Sequence, residues 1–352
     1  MTATTQDLEA ARLLLSRLGV DPADLIGDAP ADNADGERPP MPTLGEWIPV
    51  VSGLVSASTA SSYGSYWKKA EARWGERPMD TITATEIKAM AEHVRSTARV
   101  RRNSRGGRNA AENFIAAIRC LYKHLVNDQR LDERANPAMR VTKPRRNAST
   151  RRALASDRVN ELNDIVSSTG DDPELDALVC RLHEESACRR GGALALRRRD
   201  LDQTQCTILL QEKGETERWQ PVSPTLMRHL VAHFDERGDG NPESQLLRYA
   251  NGNPITKRRY DYIFGRVQKA LDWARSLQVS AHWLRHTTLT WVERNFGIGV
   301  ARAYAGHAES GGDLTTTTYV KADITEVAEA LAALTGEPHP LAPVRTPRTT
   351  TE

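Results

Sequence analysis

Six residues in the C-terminal half of the chain carry the side chains that phosphoryl transfer needs: Arg189, Lys213, His282, Arg285, His307 and Tyr319. Guanidinium groups grip phosphate oxygens through a bidentate fork. Each charge-assisted hydrogen bond of that kind contributes roughly 1.5–3 kcal/mol. A cage of four or five such donors stabilises the extra charge of a pentacoordinate phosphorus. No cluster of carboxylates accompanies these cations, so they must do the work that magnesium does elsewhere, and neither a metal nor another cofactor is expected. Tyr319 is the candidate nucleophile. A free tyrosine has a pKa of about 10, so it must be activated by neighbouring cations or a base before it attacks a phosphodiester. A lysine in a loop, Lys213, is a suitable acid for a departing sugar hydroxyl.

The segments around these residues occur in a definite order: "SACRRGGALALRRRDLD", the hairpin lysine, "HWLRHT", then "AGH" and Tyr319. Successive site residues are separated by 24, 69, 3, 22 and 12 positions. This order resembles the tyrosine recombinase (phage integrase) family, in particular its Cre- and Xer-like site-specific recombinases. The resemblance runs from about Thr43 to Gly336, because "NPAMRVTKP" is similar to the family's exit from its core-binding domain. It implies an enzyme that cuts one DNA strand at a time without metal or ATP. Tyr319 would form a 3′-phosphotyrosyl link, and the freed 5′-hydroxyl would attack the partner duplex, passing through a Holliday junction. Arg189 and Arg285 would hold the non-bridging oxygens, Lys213 would protonate the leaving 5′-oxygen, His282 would assist proton movement from the tyrosine, and His307 would donate a hydrogen bond. Three features depart from the pattern. Gly192 stands where the family has an acidic residue, with Glu184 or Glu185 as candidate replacements; Ala305 replaces a leucine; and "AESGGDL" lengthens the gap to Tyr319, its two glycines implying a flexible loop.

Elements must carry these residues to one place. The fold class expected is mainly α: a helical, SAM-like core-binding domain, then a mixed but mostly helical catalytic domain with a small β-hairpin. "STASSYGSYWKKAEARWG" has Tyr63, Trp67, Ala70 and Trp74 at helical spacing, and Phe114, Ile118, Leu121 and Leu125 share one face of another helix; these read as core. Thr83 or Thr85 caps the helix between them. Two strands, Cys206–Gln211 and Glu217–Ser223, flank the turn that holds Lys213. Helices follow at Pro224–Phe234, Lys257–Leu277, His282–Phe296, Gly299–Ala305 and Ile324–Leu334. The last presents Ile324, Val327, Leu331 and Leu334 on one face, which the resemblance implies would dock on a neighbouring copy. His286 and Tyr304 read as packing residues.

The expected divisions are an acidic, partly disordered segment at 1–42, the core-binding domain at 43–140, a basic linker at 141–152, the catalytic domain at 153–336 and a disordered tail at 337–352. A formal net charge of +2 hides a strong asymmetry: residues 95–152 hold sixteen Arg and Lys against four acids. Such a stretch wants a polyanion. Arg101, Arg102, Arg105, Arg108, Lys143, Arg145 and Arg146 are the candidate DNA contacts. Four scattered cysteines form no CxxC pair, so neither disulfides nor a zinc site is expected. No apolar run approaches the roughly 20 residues of a membrane span, and the N-terminus lacks a signal core, which predicts a cytoplasmic protein, nucleoid-associated when bound to DNA. The acidic first 42 residues argue against an arm-binding domain. The expected partners are double-stranded DNA with specific recombination sites and further copies of the chain: monomer or dimer when free, tetramer on paired sites. The alternatives are a non-cleaving DNA-binding protein of the same fold and a topoisomerase IB-like relaxing enzyme.

Overall fold

A computed structural model describes residues 39–98, 107–144, 152–211, 217–306 and 323–343. The chain divides into two compact units, Met1–Ala148 and Ser149–Glu352. The boundary lies within the basic stretch from which the linker was expected.

Among its described residues the first unit has four α-helices: α1 (Leu44–Leu54), α2 (Ala57–Trp74), α3 (Ala84–Ser96) and α4 (Arg108–Asn127). Their starts are written locally. Thr43 and Glu46 form a capping box at α1, Thr83 and Glu86 form another at α3, and Ser56 caps α2. Three contacts draw the Glu86 carboxyl down to about 2: a hydrogen bond from Arg77 first, then the Thr83 backbone and hydroxyl. Trp67, Ala70, Trp74, Phe114, Ile118, Leu121 and Leu125 are all buried in one core, as their spacing predicts, while Tyr63 packs at its edge. The aromatic polar groups are satisfied by helix carbonyls: Trp47 Nε1 donates to Leu121 at 3.0 Å, Trp67 Nε1 to Ala117 at 2.9 Å, and the Tyr122 hydroxyl to Met79 at 2.8 Å. With its indoles so engaged, this set holds helices together rather than stacking on bases. Gly107 opens α4 with φ 76°, and a Cβ there would overlap the Arg95 carbonyl.

The second unit contains α5 (Ser156–Ser168), α6 (Pro173–Ser186), α7 (Arg190–Ala195), the strands β1 (Leu201–Asp202), β2 (Thr207–Gln211) and β3 (Glu217–Pro221), α8 (Pro224–Arg237), α9 (Lys257–Ala270), α10 (Asp272–Leu277), α11 (Ala281–Ala305) and α12 (Ile324–Thr335). The antiparallel sheet runs β1-β2-β3, with Leu209 opposite Trp219 and Gln211 opposite Glu217. β1, which pairs Leu201 with Ile208, adds a strand to the two expected. The single helix expected at 257–277 breaks at Leu271 into α9 and α10. The two helices expected at 282–305 form arms of α11 that meet at Gly297, whose φ of 85° turns the chain. The fold class is therefore mainly α with a small antiparallel sheet, as expected.

A buried ion cluster ties α6 to α9. Asp176, wholly buried, receives Arg259 Nε at 2.5 Å and Arg266 at 2.9 Å, and Arg259 also bridges to Asp171 at 2.8 Å. The Tyr262 ring lies under both guanidiniums, 4.9 Å from one and 5.0 Å from the other.

Val327, Ala330 and Leu331 of α12 are buried against Val292, Val300, Ala301 and Tyr304 of α11, whereas Ile324, expected on the same face, is exposed. One expectation about the C-terminus is corrected. The segment after α12 is not unstructured from residue 337. Glu337 pairs with Arg181 at 3.0 Å and accepts from the Thr225 backbone at 3.2 Å, and His339 is buried with Nε2 3.1 Å from the Cys206 carbonyl. The expected disorder at 1–38 and 344–352 concerns residues outside those described.

Candidate catalytic site

Arg189 stands on a short turn between α6 and α7. The α6 helix ends at Ser186, and its cap, Ala187, adopts the left-handed conformation, φ 47° and ψ 26°. A residue with a Cβ pays about 1 kcal/mol there, so the surroundings must hold it. They do so from several sides. The Ser186 hydroxyl accepts from the Cys188 amide at 3.2 Å, and His183 Nδ1 lies 3.1 Å from the Cys188 carbonyl. A carbonyl only accepts, so Nδ1 carries the proton and Nε2 accepts from the Tyr260 hydroxyl at 2.9 Å. Burial pushes the Tyr260 phenol up, which keeps its proton in place for that bond. Arg189 itself is extended, φ −80° and ψ 152°, at the cap of α7, so it leaves the backbone between two helices rather than from within one.

Arg285 reaches the same turn from α11. It is 4% exposed. Its Nη1 donates to the Ala187 carbonyl, and its Nη2 donates to the Ala305 carbonyl at 2.7 Å. One guanidinium thus joins the Arg189 turn to the last residue of α11, directly before Gly306, which caps the helix with φ 60°. Of its five N–H donors two serve these carbonyls.

His282 lies one helical turn before Arg285 and is exposed. Arg189, His282 and Arg285 line one cavity of about 630 Å³, with Cys188, Tyr260 and Gln278 among its other walls. The structure therefore brings together three of the six residues expected to act. Lys213, His307 and Tyr319 lie outside the described residues. The described residues flanking two of them are fixed near this turn. A Cβ on Gly192, three residues beyond Arg189, would sit 3.2 Å from the carbonyl oxygen of Gln211, which precedes Lys213 by two positions. Ala305, held by Arg285, precedes His307 by two positions.

That Gln211 contact also explains Gly192. Any Cβ there would crowd the Gln211 carbonyl oxygen on β2. The two candidate replacements face elsewhere. Glu185 accepts from Arg181 at 2.7 Å and from the amide and hydroxyl of Ser223 at 2.8 and 3.0 Å. Glu184 accepts from Asn163 at 3.2 Å and lines a second cavity of about 790 Å³, with Thr287, Thr288 and Arg294. Burial raises the Glu184 carboxyl to about 7. In the unfolded chain a glutamate titrates near 4.3. The folded state therefore binds the extra proton, and stability falls as pH rises from about 4.5 to about 7 and stays lower above that. Glu184→Gln is expected to remove this loss, so that its stability gain over the parent grows by about 2 kcal/mol between pH 5 and pH 8 in urea titrations.

Other expected residues are placed as follows. His286 is half-buried, with Nδ1 3.0 Å from the Thr290 hydroxyl one turn on. Tyr304 is fully buried and donates to the Glu185 carbonyl, in keeping with a packing role. Among the DNA-contact candidates, Arg108 is exposed in the first turn of α4 and Lys143 is partly exposed; Arg101, Arg102, Arg105, Arg145 and Arg146 lie outside the described residues. The supporting roles of His183, Ser186 and Tyr260 were not read from the sequence, because each depends on a turn that local pattern does not announce. Among the described residues no group of His, Cys, Asp or Glu could hold a metal ion, and no helix is long and apolar enough to cross a membrane.

Comparison with known proteins places the chain in a family. Residues 152–325 match the model of the phage integrase family. The tyrosine recombinase XerC of Bacillus pumilus (strain SAFR-032) is 23% identical over 193 residues, which cover 52% of this chain and 61% of that one, less than two thirds of its length. XerC of Alcanivorax borkumensis is 22% identical over 280 residues, covering 78% of this chain and 87% of that one. A lambda integrase tetramer bound to a Holliday junction shares the fold at a TM-score of 0.57 and 14% identity, with 88% of each chain covered. Through residues 152–325, which hold all six expected site residues, the chain belongs to the phage integrase family of tyrosine recombinases.

Proposed function

We propose that the chain is a site-specific DNA recombinase that cuts and rejoins strands through a 3′-phosphotyrosyl intermediate. The observation that carries this reading is the shared cavity of Arg189, His282 and Arg285, in which a buried arginine joins the Arg189 turn to the residue that precedes the Gly306-His307 pair. A buried guanidinium beside a half-buried one suits an anion that gains charge during reaction. Arg189 and Arg285 hold the non-bridging oxygens of the scissile phosphate. Tyr319 attacks the phosphorus, its proton passing to His282 as the phenolate forms the new P–O bond. Lys213 delivers a proton to the leaving 5′-oxygen, and His307 donates a hydrogen bond to the phosphate. The displaced 5′-hydroxyl remains to attack the phosphotyrosyl bond of a partner duplex, so the phosphoester energy is conserved through the exchange.

The partner is double-stranded DNA carrying specific sites, bound by several copies of the chain. Arg108 supports DNA contact in the first unit. It is an exposed cation in the first turn of α4, a turn without any acidic residue. A cation there opposes the helix dipole, whereas a phosphate would be welcomed by it. Assembly as a tetramer on paired sites follows the arrangement of the lambda integrase structure on its junction.

A duplex nicked close to the cleavage position loses the short fragment after attack and traps the protein on DNA. The full chain is expected to form a covalent adduct that mass spectrometry maps to Tyr319, and Tyr319→Phe to form none. An adduct that persists in Tyr319→Phe contradicts the assignment of the nucleophile. Salt-sensitive binding with no adduct from the parent chain points instead to a protein that keeps the fold without cutting.

A further inference from the structure

A third guanidinium lies against backbone next to that held by Arg285. Arg218 is the second residue of β3, paired with Leu210 across the sheet. Its side chain leaves the sheet towards the elements that carry the site. The Nη1 group donates to Gln220 Oε1 on its own strand, and Nη2 approaches the Ser186 carbonyl at 3.5 Å. Ser186 is the last residue of α6, three before Arg189. On another side the Arg218 stem passes so close to Gly306 that any Cβ there would overlap its Nε and Cδ. Gly306 is favoured by its φ of 60°, and its missing side chain leaves the space that Arg218 occupies.

Arg285 and Arg218 consequently address the same two pieces of backbone. Arg285 bonds to Ala187 and Ala305, and Arg218 lies against their neighbours, Ser186 and Gly306. The electrostatic influence of Arg218 extends to Cys188 and Tyr304, which flank those pieces. The geometry points to Arg218 as a positioning residue for phosphoryl transfer: it spaces the Ser186–Arg189 turn from the Ala305–Gly306 corner and so sets where Arg189 meets the phosphate. This inference rests on the recombinase reading above. Arg218 is not assigned a contact with the substrate.

The test compares two nicked substrates, one with an ordinary scissile phosphate and one with a methylphosphonate at that position. The methylphosphonate lacks one negative charge, so misplacing a cation that neutralises that charge costs less on it. Each variant is compared with the parent chain on the same substrate. Arg218→Ala is expected to slow adduct formation about 50-fold on the phosphate and only about 5-fold on the methylphosphonate, because the arginine it misplaces matters less there. Arg189→Ala serves as the reference and shows the same relief from a larger loss. Arg218→Lys keeps the charge but not the planar fork, and is expected to lose about 10-fold on the phosphate with relief on the methylphosphonate. If Arg218→Ala does not fold, the lysine variant decides alone by the same comparison. Equal losses on both substrates for the Arg218 variants, with Arg189→Ala relieved, overturn this inference and leave the recombinase reading standing. A parent chain that forms no adduct overturns that reading and this one with it.

Discussion

Arg285→Ala is expected to lower the rate of covalent-adduct formation about 10³-fold, which corresponds to about 4 kcal/mol of transition-state stabilisation. It is also expected to destabilise the second unit by about 3 kcal/mol, since two buried carbonyls lose charged donors. The two effects come from one side chain because Arg285 both holds the backbone and faces the cavity. Arg285→Lys separates them. A lysine keeps the charge but has no planar fork to span the Ala187 and Ala305 carbonyls, so it should recover part of the stability and little of the rate. Rates come from the nicked substrate under single-turnover conditions, and stabilities from urea titrations of the same preparations. A lysine variant with the parent's rate would mean that the fork is not what the site uses.

Asp176→Ala is expected to have the largest effect on stability away from the cavity, about 4 kcal/mol, with the loss read as a lower urea midpoint. The carboxylate is wholly buried between Arg259 and Arg266, and deleting it leaves two cations facing each other. Asp176→Asn keeps the shape and some hydrogen bonds but not the charge, so it should lose nearly as much. The adduct rate measured at low temperature, where the variant remains folded, should stay close to the parent's. A variant as stable as the parent would show that water reaches this cluster and screens it.

The helical frame could be read from the chain because its signals are local. The spacing of Trp67, Ala70 and Trp74, the threonine cap at Thr83 and the three-residue step from His282 to Arg285 are each contained within a few turns. The hairpin followed from the apolar segment Cys206–Gln211 and the segment Glu217–Ser223 on either side of a glycine turn. What escaped the sequence depends on contacts between distant parts. Ala187 offers no sign of a left-handed conformation, since glycine is the residue that signals it, and the contacts that hold it include Arg285, 98 positions away. Gly192 looks like a missing acid until β2 is placed against it. β1 is two residues long, too short for any alternation to show. The segment after α12 is rich in proline and polar residues and reads as a free tail, yet Glu337 and His339 find Arg181 and the Cys206 carbonyl. The burial of Val327 and Leu331 on their own unit was not legible because their cover on α11 is spread over both arms of a kinked helix.

The central claim concerns the placement of cations around one phosphorus atom. The measurement that tests it most directly is a crystal structure of the full chain on nicked site DNA with orthovanadate, which takes the five-coordinate shape of the phosphoryl group in transfer. The account predicts that Arg189 and Arg285 donate to equatorial vanadate oxygens while the Tyr319 oxygen occupies one apical position, opposite the leaving 5′-oxygen. A vanadate held by other residues, or one with Arg285 still confined to the Ala187 and Ala305 carbonyls and turned away from the oxyanion, would contradict it.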